Sequence, residues 1–209
     1  MKVILAGATG LVGSHVLKLA LASPEVDKVI ALARHPLPAH PKLLCVQLDY
    51  ETLPENAEWW HADAVICTLG TTIRKAGSSQ AFERVDHDYP LMVAEHARRA
   101  GVGTYVLNSA LGADPQSKFL YNRTKGRVEQ DLRALGFGSL TIARPGLIGG
   151  ARNEFRLGER VAAVLLKVTA PLLPRRLRVN PAENIARELI TAALNREPGE
   201  HIIQSESMV

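Results

Sequence analysis

Apolar positions along this chain follow two rhythms. Short runs rich in β-branched and aliphatic residues, at residues 2–6, 28–33, 43–48, 64–69, 105–108 and 140–143, have the length and composition of strands. Between them lie longer stretches of helical period, at 11–22, 79–100 and 117–135, with an irregular connection after Leu48. Strand and helix in alternation predict βαβ units, right-handed crossovers and a doubly wound, mostly parallel α/β sheet with helices on both faces. After Pro145 the rhythm breaks into basic, proline-punctuated sequence, with helical stretches near 157–168 and 181–195 and a late strand near 201–204. This predicts one domain: a dinucleotide-binding core over 1–146, and a small substrate-side cap with closing elements over 147–209. Pro181 suits the first turn of a helix, with Asn180 as the cap before it.

Composition narrows the class. The 209 residues are 46% hydrophobic and 22% charged, as in an ordinary globular domain. No apolar run approaches the roughly 18 residues of a membrane span, and the opening residues turn to glycine before a signal-peptide core develops, so a cytoplasmic protein is expected. Cys45 and Cys67 lie in strand-like runs without metal or redox companions, which predicts two buried, reduced thiols and no metal. The net charge of +4 owes much to a late basic group: Arg144, Arg152, Arg156, Arg160, Lys167, Arg175, Arg176, Arg178 and Arg187. With no nucleic-acid reading motif, this group suits a solvated surface or attraction of an anionic small-molecule substrate; nucleic acid is not expected, and a homodimer stays open.

Chemistry enters at the first strand-to-helix turn, Gly7-Ala8-Thr9-Gly10-Leu11-Val12-Gly13. One glycine permits the bend, one clears the approach of a pyrophosphate and one lets helix and strand pack closely, while the helix-start amides face the phosphates. The spacing differs from both Gly-x-Gly-x-x-Gly and the nucleoside-triphosphatase loop. At the end of the second strand, where a carboxylate would select NAD, the chain has Arg34-His35, which favours NADP over NAD. Leu69, Gly70, Thr71 and Thr72 after the fourth strand, and Pro145, Gly146 and Ile148 after the sixth, would line the cofactor.

Tyr121 and Lys125 stand four apart on one predicted helix face, after a strand whose end carries Ser109. Carbonyl reduction needs a proton on oxygen as well as a hydride on carbon. Tyrosine is a poor acid–base group unless an ammonium beside it favours its ionised form, and a serine can hydrogen-bond the substrate oxygen. Tyr121 and Lys125 would also touch the cofactor. Trp59, Trp60 and His61 read as packing residues, and Asp86, His87 and Asp88 as a polar helix face.

With these residues in hand, the chain resembles the atypical short-chain dehydrogenases, in the branch of the Tat-interacting tumour-suppressor oxidoreductase. The likeness rests on Cys67–Thr72, Lys75-Ala76-Gly77, Phe82-Glu83-Arg84-Val85-Asp86 with Asp88-Tyr89, Gly112-Ala113-Asp114, Phe119-Leu120-Tyr121 and Lys125-Gly126-Arg127-Val128-Glu129. It implies a Rossmann-like fold binding NADPH, with Ser109, Tyr121 and Lys125 in the catalytic places; family members often have adjacent arginines where this chain has Arg34-His35. The expected activity is an NADP(H)-dependent oxidoreductase. The alternatives are a non-catalytic NADPH-binding regulatory protein and, with too short a substrate region, a nucleotide-sugar epimerase.

Overall fold

A computed structural model of the chain describes residues 1–149, 175 and 178–209. Strands β1 (Lys2–Ala6), β2 (Lys28–Ala33), β3 (Leu43–Gln47), β4 (Ala64–Cys67), β5 (Thr104–Asn108), β6 (Ser139–Arg144) and β9 (Gly199–Gln204) form one sheet in the order β3-β2-β1-β4-β5-β6-β9. Every pairing is parallel. Strand order reverses between β1 and β4, and a crevice must open there above their carboxyl ends. The minor strands β7 (Ile148–Gly149) and β8 (Asn180–Pro181) pair separately.

Alternation along each inner strand explains the two layers. Val3 and Leu5 face one side, with α1 (Leu11–Ala22) and α6 (Ala182–Asn195), where Val16, Ile185 and Leu189 are fully buried. Ile4 and Ala6 face the other, with α4 (Tyr89–Arg99) and α5 (Leu120–Ala134), where Val93, Ala97, Val128 and Leu132 are buried. A strand covered on both faces must be apolar throughout, which is why these runs are unbroken in the sequence.

The helix expected over 79–100 is three pieces: α3 (Ser79–Glu83), a π-helical segment Arg84–Asp88, and α4. Before it comes α2 (Ile73–Ala76), a single turn capped by Thr72, whose hydroxyl accepts from the Lys75 amide. β4 ends at Cys67, two residues earlier than expected; the Thr68 amide still donates to the Ala6 carbonyl at 2.8 Å, and its one hydroxyl proton is shared between the Ala6 and Gly7 carbonyls. Trp60 packs as expected, buried with its indole donating to the Pro54 carbonyl.

The closing elements expected at the end of the chain belong to the body of the fold: α6 packs on α1 and β9 extends the sheet beside β6. Other expectations need correction. The helix expected over 157–168 lies outside the described residues. Asn180 is no helix cap; it is fully buried, and its amide oxygen accepts from the Gly146 amide at 2.6 Å and the Ser205 hydroxyl at 2.9 Å. Cys67 is buried, and burial pushes its thiol up, but Cys45 on edge strand β3 is only half-buried.

Candidate functional site

The glycine turn forms the first wall of the crevice. Gly7 has a φ of +91°, and the Gly10 amide closes the bend on its carbonyl at 3.0 Å. A Cβ on Gly13 would stand 2.0 Å from the Gly7 carbonyl oxygen, so only glycine lets α1 start this close to β1. Among the described residues no side chain caps α1, so the amides of its first turn point at the crevice as an anion-binding helix start would.

A crevice of about 530 Å³ runs from this turn across the ends of β4 and β5 to the start of α5. It is lined by Thr9, Gly10, Leu11, Val12, Ser14, Thr68, Leu69, Gly70, Thr71, Thr72, Lys75, Asp86, Asn108, Ser109, Tyr121, Lys125 and Ile148. Most residues singled out in the sequence are thereby gathered at one place. Gly7, Gly13, Arg34, Pro145 and Gly146 do not line it: the first two work by backbone packing, and Arg34 is exposed at the end of β2. The Gly146 amide is already bound by Asn180, so this turn contributes its bend and not a free donor.

At the floor, Lys125 is 3% exposed and its Nζ lies 2.9 Å from Oδ1 of Asp86, itself 1% exposed. Burial alone would lower the pKa of such an ammonium, but the charges of Asp86 and Tyr121 outweigh it and raise the value above the ordinary range. The other Asp86 oxygen accepts from the Thr71 amide at 2.7 Å, so one carboxylate joins the 69–72 loop to α5. Gly70 leaves room for this, since its Cβ would come within 3.3 Å of Asp86 Oδ1. Asp86 is therefore not part of a solvated face. Asp86 lies on the buried side of this helical stretch with Phe82, Pro90, Val93 and Ala97, while the neighbouring His87 bridges Asp88 and Asp131 at 2.8 Å each. The only sequence signal for Asp86 was its place in the Phe82–Asp86 run.

Tyr121, 41% exposed, lines the mouth with its ring 6.0 Å from Phe82. Ser109 sits deeper, at the end of β5, and its hydroxyl donates to Glu129 Oε1 at 2.5 Å. Glu129 is a second buried carboxylate without a role assigned from the sequence; Arg144 binds both of its oxygens. Beside Ser109, Oδ1 of Asn108 is buried without a partner among the described residues. Uncapped helix amides behind a glycine bend, and an orphaned acceptor deeper in the same crevice, fit a dinucleotide with a polar head. Among the described residues, no group of side chains could hold a metal.

A glycine bend, an open helix start and a crevice at the reversal of strand order define a dinucleotide-binding protein of Rossmann-like fold. The chain belongs to the NAD(P)H-binding family, whose pattern it matches over residues 7–164. It is 38% identical over 168 residues to the mitochondrial protein fmp52 of Emericella nidulans, covering 77% of this chain and 72% of that one. To the mitochondrial fmp52 of Aspergillus fumigatus it is 34% identical over 210 residues, covering 95% and 89%. Among solved structures, MoeE5 in complex with UDP-glucose and NAD shares the fold, with a TM-score of 0.74 at 18% identity over 97% of this chain and 75% of that one. The mitochondrial naming of these relatives overturns the expectation of a cytoplasmic protein, which rested on composition and the opening residues alone.

Proposed function

We propose that the protein is an NADPH-dependent oxidoreductase that interconverts a carbonyl and an alcohol, with Tyr121 as the acid–base group. The observation that carries this reading is that Tyr121, Lys125 and the uncapped first turn of α1 share one crevice. When bound, the dinucleotide supplies or takes the hydride. Thr9, Gly10, Leu11 and Val12 would hold its pyrophosphate against α1, and the 69–72 loop would lie along it. Arg34, with no carboxylate beside it, favours the 2′-phosphate of NADP. Tyr121 exchanges the proton with the substrate oxygen, and Asp86 keeps Lys125 charged and in place next to it. The test is thermal unfolding of the full chain with each cofactor, followed by NADPH oxidation over a panel of carbonyl compounds. NADPH should protect more than NADH, and Tyr121→Phe should lower turnover about 10²- to 10⁴-fold with cofactor binding kept. Equal protection, or a Tyr121→Phe protein as fast as the wild type, overturns the proposal.

One observation favours a second reading, a regulatory NADPH-binding protein without useful turnover: Lys125 and Ser109 are already partnered by Asp86 and Glu129. A panel without turnover, together with a partner whose affinity changes with NADPH, supports it. A wild-type rate lost in Tyr121→Phe removes it as the sole role.

A further inference from the structure

Ser109 carries a constraint set by the residues behind it. A serine hydroxyl has one proton to donate and two lone pairs with which to accept. Ser109 Oγ stands 2.5 Å from Glu129 Oε1, and both residues are buried, at 3% and 1% exposure. Arg144 holds the Glu129 carboxylate with two donors, Nε at 3.0 Å and a terminal nitrogen closer still, and Arg133 adds a third guanidinium nitrogen at 3.6 Å. Arg133 is fixed in turn by Glu200 at 2.7 Å. A carboxylate facing two guanidinium groups accepts and does not donate, so the proton between Ser109 and Glu129 belongs to the serine.

We propose that Glu129 is a positioning residue that consumes the only donor of Ser109, so that Ser109 offers the crevice lone pairs alone. Resting on the reading that Ser109 borders the reacting oxygen, this names the chemical form the site prefers. A carbonyl oxygen would meet lone pair against lone pair at Ser109. An alcohol brings its own proton and is accepted. Of an alcohol–carbonyl pair, the site therefore retains the alcohol, and donation to a carbonyl oxygen falls to Tyr121.

The test reads the serine proton directly and needs neither substrate nor cofactor. The full chain is labelled with 13C at serine Cβ, and spectra are recorded in an equal mixture of light and heavy water, with Ser109→Ala used to assign the resonance. A hydroxyl locked on Glu129 exchanges slowly, and Ser109 Cβ should show two lines, one for each hydrogen isotope. Glu129→Gln should collapse them to one averaged line. If that variant does not fold, Glu129→Asp, which keeps the charge for Arg144 but withdraws it by one methylene, should do the same. A single averaged line in the wild type overturns the proposal, as do two lines that persist in the folded variant. Because no turnover is involved, this outcome is separate from that of the oxidoreductase assay.

Discussion

Single side chains near the crevice are set by what stands behind them. Gly13 is the sharpest steric case, because the atom a side chain would strike is the Gly7 carbonyl oxygen, and the backbone there is bolted by the Thr68 hydroxyl. Gly13→Ala should cost about 2 kcal/mol or more, beyond the gain in helix propensity, as read from urea unfolding. Glu200, in contrast, is a surface partner of Arg133, and its carboxyl is held below the ordinary value of 4.5, chiefly by the hydrogen bond from that guanidinium. A depressed carboxyl stabilises the fold above its unfolded value and loses that contribution as pH falls through the folded one. Glu200→Gln should therefore cost no more than about 1 kcal/mol at neutral pH, a difference that closes with the wild type below pH 4.5. That Tyr121, Lys125 and Ser109 share one crevice was legible from spacing and from their place after a strand. Asp86 and Glu129 were not, since a carboxylate on an amphipathic helix reads as solvated unless the cation buried against it is known.

At the scale of elements, the inner strands were readable because both faces of the sheet are covered there, which leaves short, β-branched apolar runs of strand length. The helix over 79–100 was readable in extent but not in pitch. Its π-helical segment leaves the buried positions Phe82, Asp86, Pro90, Val93 and Ala97 at ordinary helical spacing, so nothing in the apolar pattern marks the change of pitch. The ion pair delivered there joins this segment to α5, so its loss should be felt by both. Removing one partner leaves a buried charge alone, and Asp86→Asn should destabilise the protein by about 3–5 kcal/mol. Adding Lys125→Met to it should recover part of that loss, with chemical denaturation of the two variants as the check.

In the whole molecule, the described residues from 178 onward are built into the body. Charge and prolines set the sequence after Pro145 apart from the core, and the closing helix and strand expected there pack into it: Ile185, Leu189 and Met208 are fully buried in the same cluster as Val3 and Leu5. Asn180 fastens the return, bonded to Gly146 at the exit of β6 and to the Ser205 carbonyl and hydroxyl near the last turn. Asn180→Ala should cost about 2–4 kcal/mol, since several buried polar groups lose their partner together, and calorimetry can read it as a fall in melting temperature. The π-helical segment has a counterpart consequence in how such a protein can change over generations. One residue more or less there rotates what precedes it by about 100° relative to α4. A one-codon deletion could thus preserve the sheet-facing side of α4 and still swing Asp86 away from Lys125, silencing the crevice while the scaffold endures.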